Sequence, residues 1–506
     1  MEKILLDNFI GGKPLFLSGK RYDVPSPFYQ DYSVQAADSG LFDVKTAIFK
    51  ARDAEKECKA LSFGEREQIL KRASKKLGLD SSILEYTVKM TGMPIHYVRK
   101  HLEQIPEMLP GVPELIRNRL GLTGPALHHH VGSGTDLYSV FHPLDGFVYG
   151  VTPGNDPRAV PFVVSWCVAL GIPLVIKPSK TDLLGHQKLA EALINEGYPA
   201  GGLNIIGWNS ESQDSLAKNF ALVDAASAIW VFGDDNTVDK VLRFSADGQG
   251  KQVDHFTGKV VLRHSSGRGA GIHDAGGDLK KTARIIAESA YEWPIACNAL
   301  KALFTASSDH GELVARIKEI TENEFSKYVG DPMKVNTRVG FVNPKLLKQV
   351  TERVASLKKM GLLEELVPLE ALSEHQAAPM LLETTDAHSE FLSKEYSLYV
   401  LAIKKCKSFE QAVEEANGQS GDAKRIAITV LSQDEKKVLG TYLHAHHVKR
   451  LRHSTEFDLL YHEGNDYLHK LMVPQIHRVA QKGVGSHGGI INFFKNWRRG
   501  TGKKTT

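Results

Sequence analysis

Apolar residues recur at helical spacing from Val44 to about Arg119. Ala47, Ile48, Ala51 and Ala54 mark one such face, and Ile69, Leu70, Ala73 and Leu77 another. Ahead of them, residues 1–40 read as short strands and turns, with Gly11-Gly12 turning between apolar flanks. Residues 127–142 mix polar positions with Val131, Leu137, Tyr138, Val140 and Phe141 around Gly132-Ser133-Gly134, which predicts a β-hairpin. Strand and helix then alternate. The runs 147–151, 174–176, 203–206 and 228–232 are short and apolar, while 159–170 and 185–196 are helical in pattern. This order predicts a doubly wound α/β unit with a parallel sheet. After Gly258 come a short strand, a glycine cluster and a helix over 279–292. Residues 300–480 form a second α/β unit with strands at 302–304 and 426–430, and 489–494 reads as a lone strand.

A chain of 506 residues exceeds one ordinary core, so two or three domains are expected. With 42% hydrophobic and 24% charged residues the composition is globular, and a net charge of +4 gives no argument for a nucleic-acid or membrane partner. Residues 1–14 carry only the apolar run Ile4-Leu5-Leu6 and no signal-peptide pattern. The long apolar stretch 159–176 is interrupted by Pro161, Gly171 and Pro173, so it reads as buried helix and strand, not as a membrane span. Four cysteines do not make a disulfide scaffold, and Cys58, Cys167, Cys297 and Cys406 lack metal-ligand spacing. No metal site and a reducing, cytoplasmic setting are expected.

Three segments carry candidate chemistry. Cys297, in Trp293-Pro294-Ile295-Ala296-Cys297-Asn298-Ala299, follows a helix and a proline break. A thiol there can sit at a helix N-terminus that favours the thiolate, although a lone cysteine is more often a small buried hydrophobe. Asn155 lies in Thr152-Pro153-Gly154-Asn155-Asp156-Pro157, just after a strand. Its amide could donate to a developing oxyanion, and the bland alternative is a turn asparagine. Lys177-Pro178-Ser179-Lys180 also ends a strand, where a lysine can meet ribose or phosphate or simply be solvated. Gly483-Val484-Gly485-Ser486-His487-Gly488 matches a dinucleotide fingerprint but lacks a following βαβ unit. The histidine runs 128–130 and 444–447 lack a carboxylate motif to complete a metal site.

Taken in order, these segments resemble the aldehyde dehydrogenase superfamily. Residues 152–157 resemble its T-P-W-N-x-P, and 177–180 its K-P-S-E. Phe232-Gly233-Asp234 shares Phe and Gly with F-T-G-S, and Ser266-Gly267-Arg268 resembles the end of E-L-G-G-K. Cys297 falls where the family has its nucleophile, Pro379-Met380-Leu381-Leu382 resembles P-T-L-L, and Lys394-Glu395-Tyr396 resembles the start of E-E-x-F-G-P. The resemblance implies three parts: a Rossmann-type nucleotide domain (1–125 and 144–262), an α/β catalytic domain (263–480), and a small β bridging or oligomerisation unit (126–143 and 481–506). It implies a homodimer or homotetramer. It also implies that Cys297 attacks a carbonyl carbon while Asn155 holds the oxyanion. Thr152, Pro153, Lys177, Ser179, Lys180, Gly233 and Glu395 would bind NADP or NAD.

Departures from the family sharpen the expectation. The general-base glutamate falls on His264, and branches that exchange with coenzyme A generally lack that glutamate. The acyl-reductase subunit of bacterial bioluminescence is one such relative, and residues 229–235 are similar to its glycine-Asp-Asp segment. The favoured reading is therefore an acylating or acyl-thioester-reducing enzyme, with coenzyme A as co-substrate and a small aldehyde or acyl thioester as substrate. One alternative is a hydrolytic aldehyde dehydrogenase with His264 or another group as base. Another is a catalytically silent structural or binding protein, and a third is a cysteine hydrolase that needs no nucleotide. The carboxylate that usually meets the ribose diol falls on Lys180, which favours the 2′-phosphate of NADP.

Overall fold

The computed structural model describes residues 4–15, 17–120, 126–130, 135–242, 259–264, 268–296, 299–306, 308–386, 389–394, 396–417, 425–432, 434, 436–437, 441, 450–453 and 472–481. Cys297, Glu395 and the expected strand 489–494 lie outside the described residues.

Two seven-stranded sheets organise the chain. The first runs Val260–His264, Ala228–Phe232, Val148–Val151, Leu174–Lys177, Leu203–Ile205, Asn8–Ile10, Lys13–Leu15. Its first five strands are parallel, and the N-terminal hairpin adds the antiparallel edge. Val148–Val151 and Ala228–Phe232 are covered by helices on both faces, which is why they read as continuous apolar runs. The chain builds outward through 174–177 and 203–205, then returns to place 228–232 and 260–264 on the other side. The switch point of this doubly wound α/β sheet therefore lies between Val148–Val151 and Ala228–Phe232.

The second sheet runs Leu363–Val367, Met380–Thr384, Val400–Lys405, Leu300–Thr305, Arg268–His273, Arg425–Leu431, Arg450–His453. All its pairings are parallel except that of Leu363–Val367. The glycine cluster turns out to be one of its inner strands. A Cβ on Gly271 would meet Leu303 Cδ1 at 3.0 Å and Leu300 Cδ1 at 3.1 Å, so glycine lets those leucines close over the strand.

The hairpin forms as expected, from Ala126–His130 and Thr135–Pro143. Its third strand is Met472–Gln481, antiparallel to Thr135–Pro143. The sequence reading left 472–480 in the catalytic part. That stretch instead pairs along the open edge of the hairpin, where an uncovered strand edge would be costly.

The helical first quarter is divided between the two cores. Leu109, Val112 and Ile116 pack with Trp166 and Trp230 against the first sheet. Leu84, Val88, Met93, Tyr97 and Val98, expected in the nucleotide domain, pack instead with Tyr291, Trp293 and Phe304 against the second. A left-handed Gly92 (φ 70°) ends the helix Ser81–Thr91, and its carbonyl accepts from Phe341 N at 2.9 Å. No helix among the described residues is long and apolar enough to cross a membrane.

Gly340 sits on that junction. A Cβ there would run into the Gly92 carbonyl and lie 3.0 Å from Pro94 Cδ. Gly340→Ala should cost roughly 1–3 kcal/mol by overpacking, seen as a lowered thermal midpoint; an unchanged midpoint would mean that the junction yields freely.

Candidate active site

The carboxyl ends of the first sheet place most of the sequence-derived residues in one row. Thr152 follows the strand Val148–Val151, and its N–H donates to the Lys177 carbonyl at 3.2 Å. Lys177 ends the neighbouring strand. On the other side of the switch point Gly233 follows Ala228–Phe232, and its N–H donates to the His264 carbonyl at 3.0 Å. Ligands of open α/β sheets bind at such an edge.

The 152–157 loop is fixed at both ends. Thr181 Oγ1 donates to the Gly154 carbonyl at 3.3 Å, and Ser179 Oγ lies 3.1 Å from Thr181 Oγ1. A Cβ on Gly154 would overlap Thr181 Oγ1 and lie 2.6 Å from Ser179 Oγ, so only glycine allows this close approach. Thr152 Oγ1 is buried and has no hydrogen-bond partner among the described residues.

Asn155 faces the second sheet's loop. Its Nδ2 donates to the Ile295 carbonyl at 2.6 Å, and in return Trp293 Nε1 donates to the Asn155 carbonyl at 2.9 Å. This reciprocal pair brings the Asn155 amide to the segment that leads into Cys297. Trp293 is buried, and its ring packs on His101 with centroids 3.9 Å apart. Burial, then the nearby Arg158 charge, pushes His101 down to about 3 despite Asp156, so its imidazole is neutral at physiological pH.

Asp156 and Arg158 form a polar knot behind the loop. Arg158 Nε and Nη2 donate to the two Asp156 carboxylate oxygens at 2.9 and 2.7 Å, and Nη1 donates to Gln104 Oε1 at 2.6 Å. Burial raises the Asp156 carboxyl, but the Arg158 charge and hydrogen bonds outweigh it and hold the group at about 2.

Lys177 is half-buried. Its Nζ donates to Ser210 Oγ at 3.2 Å and lies 5.0 Å from the centre of the Trp208 ring. Burial first, then the Lys180 charge, lowers its pKa to about 8. Lys180 is exposed, with Nζ 3.8 Å from Glu211 Oε1. Gly233 has a packing reason to lack a side chain, since a Cβ would lie 2.7 Å from Thr237 Cγ2. His264 is buried and stacked on Phe232, with centroids 4.3 Å apart and planes at 15°. Its ring is thus part of an aromatic stack at the far end of the row from Lys177.

The sequence reading missed Trp293 as a hydrogen-bond donor to the loop, and it missed the whole 208–211 turn. Trp208, Ser210 and Glu211 follow a strand end, so the edge rule that picked out Lys177 also pointed to them. A cavity of about 550 Å³ opens nearby, lined by Pro157, Pro161, Asp182 and His186 but not by Asn155 or Trp293.

The family model for the aldehyde dehydrogenase family matches residues 16–439. The chain belongs to the aldehyde dehydrogenase family. Among curated relatives it is similar to malonate-semialdehyde dehydrogenase 2 of Geobacillus thermodenitrificans, 28% identical over 330 residues, 63% of this chain and 64% of that protein. It is 25% identical over 386 residues to 5-carboxymethyl-2-hydroxymuconate semialdehyde dehydrogenase of Escherichia coli, 72% of each chain. The chain thus spans less than two thirds of the first relative's length. Among solved structures, an NAD-dependent aldehyde dehydrogenase from Sinorhizobium meliloti shares the fold with a TM-score of 0.77, 19% identity and 96% coverage of each chain. An NADP-dependent glyceraldehyde-3-phosphate dehydrogenase from Bacillus halodurans, complexed with NADP, has a TM-score of 0.75 at 17% identity, covering 95% of this chain and all of that one (100%).

The Asp156–Arg158 pair makes a prediction about stability. The Asp156 carboxyl is held below its ordinary value of 3.8, so the pair stabilises the fold above about pH 4 and loses its effect as pH falls through about 2. Arg158→Met should lower the urea midpoint at pH 7 by an amount equivalent to roughly 2–4 kcal/mol, with the deficit shrinking toward pH 3. A deficit independent of pH would contradict the assignment.

Proposed function

We propose that this chain is an NAD(P)-dependent oxidoreductase that interconverts an aldehyde and an acyl thioester through a covalent bond to Cys297, in the acylating or acyl-reducing sense. The observation that carries the reading is the reciprocal pair between Asn155 and residues 293–295, at the strand edge that also bears Lys177. The other cysteines support it. Burial pushes the thiol of Cys58 up to about 11, that of Cys406 up to about 12, and that of Cys167 higher still. None of those three is a usable thiolate near neutral pH, which leaves Cys297 of the four.

The chemistry follows from these groups. The Cys297 thiolate attacks the carbonyl carbon. One N–H of the Asn155 amide is on the Ile295 carbonyl, and the second is available to the oxygen that gains charge. When bound, the nicotinamide ring supplies a hydride acceptor or donor for the carbon held on Cys297. A thiol such as coenzyme A then takes the acyl group as Cys297 leaves as thiolate, and the reverse sequence loads Cys297 from an acyl thioester. Release by water needs a base, and the position of the family's glutamate carries His264 instead, which supports the thiol route.

The residues fit a dinucleotide. Thr152 Oγ1, without a partner among the described residues, and the half-buried Lys177 ammonium offer a hydroxyl and a cation at one edge, suited to ribose and phosphate. Pro153, Ser179, Lys180, Gly233 and Glu395 complete the set by resemblance, and Lys180 gives a cation for the 2′-phosphate of NADP. The three-stranded sheet of 126–130, 135–143 and 472–481 is the surface through which a homodimer or homotetramer would form, and a reducing cytoplasm would keep Cys297 a thiol.

Two measurements test the reading. A panel of aldehydes with purified protein should give acyl thioester with coenzyme A and little free acid without it. Free acid at full rate without coenzyme A would instead establish the hydrolytic route, and no turnover of any aldehyde or acyl thioester the silent one. Because the Lys177 ammonium titrates at about 8, NAD affinity should fall several-fold between pH 7 and about 9.5. In Lys177→Arg, which stays charged over that range, the fall should disappear.

A further inference from the structure

The dinucleotide edge has a second wall that the family motifs do not include. After the strand Leu203–Ile205 the chain turns through Trp208-Asn209-Ser210-Glu211, and the turn is pinned from several sides. Trp208 is buried, and its Nε1 donates to Ser215 Oγ at 3.0 Å. Asn209 N donates to Asp38 Oδ1 at 3.0 Å, and Glu211 N donates to Asn209 Oδ1 at 3.1 Å. This wall faces the 177–180 segment at two points: Ser210 Oγ meets Lys177 Nζ at 3.2 Å, and Glu211 Oε1 lies 3.8 Å from Lys180 Nζ. Both Glu211 and Lys180 are well exposed to solvent, with side chains 82% and 59% accessible, so each is free to turn toward a ligand.

We propose that Glu211 is a specificity-determining residue of the dinucleotide site, returning from the turn after a neighbouring strand the carboxylate that Lys180 displaced. The inference rests on the dinucleotide reading of this edge. Lys180 alone would select the 2′-phosphate of NADP. Glu211 opposes that choice in two ways. Its negative charge repels the phosphate and competes for Lys180, and its carboxylate accepts a hydrogen bond from a 2′-hydroxyl, which NAD has and NADP lacks. The two side chains together make a site that takes both dinucleotides, with a milder NADP preference than Lys180 would set by itself.

Calorimetric titration of wild type, Glu211→Gln and Lys180→Gln with NAD and with NADP, at low and at high salt, separates the possibilities without relying on turnover. Removing the Glu211 charge should tighten NADP by about threefold to tenfold at low salt, less at high salt, and leave NAD unchanged or weaker. Lys180→Gln should weaken NADP and spare NAD. If Glu211→Gln shifts neither dinucleotide, or both equally, while Lys180→Gln still weakens NADP, the Glu211 assignment is wrong and the dinucleotide reading stands. If wild type binds neither dinucleotide, the dinucleotide reading falls and this inference with it.

Discussion

Two hydrogen bonds hold the candidate active site together. The Asn155 amide donates to the Ile295 carbonyl, and the Trp293 indole donates back to the Asn155 carbonyl. Each sheet has its own hydrophobic core, and the proposed chemistry draws on groups from both. Asn155 comes from a loop of the first sheet and Lys177 from one of its strand ends, whereas Cys297 precedes Leu300–Thr305 of the second in sequence. A pair that runs in both directions between the loops fixes their separation in a way that one bond would not. The packing of Trp293 on His101 limits the indole's rotation, and Gly154, where the family motif has Trp, lets the loop close on Ser179 and Thr181. The proposed oxyanion donor is thus held in place before any substrate arrives, which is what electrostatic preorganisation requires.

The ionisable groups beside this contact balance one another. Asp156 is ionised but neutralised by Arg158, and His101 is neutral because burial and Arg158 suppress its protonation. Lys177 stands apart at the strand edge, half-buried beside Trp208. The candidate site therefore has its unbalanced positive charge at 177–180, away from the Asn155–Trp293 contact.

Much of this was legible in the sequence because the signals were local. Buried parallel strands give continuous apolar runs, so Val148–Val151, Leu174–Lys177 and Ala228–Phe232 were read within a residue or two, and the loops after them followed from the switch-point rule. What stayed hidden depended on contacts distant in sequence. The strand Arg268–His273 carries glycine where a strand normally carries bulk, and for Gly271 only the leucines at 300 and 303 explain it. Met472–Gln481 becomes the hairpin's third strand only because the hairpin offers it an edge. Residues 84–98 follow the same helical pattern as their neighbours, and nothing local says that they pack on the other core. Trp293 looked like an aromatic pocket wall, and its role as a donor to a loop 138 residues away needed coordinates.

The most direct test of the central claim is a double-mutant cycle on the reciprocal pair. Rates for aldehyde turnover would be compared in wild type, Asn155→Ala, Trp293→Phe and the double variant. Losing an oxyanion donor typically costs about 10²–10³ in kcat. If Trp293 acts by holding Asn155 in place, Trp293→Phe alone should lower kcat with little change in KM, and the double variant should be no slower than Asn155→Ala. Losses that simply multiply in the double variant would contradict the account, because the two residues would then be acting independently.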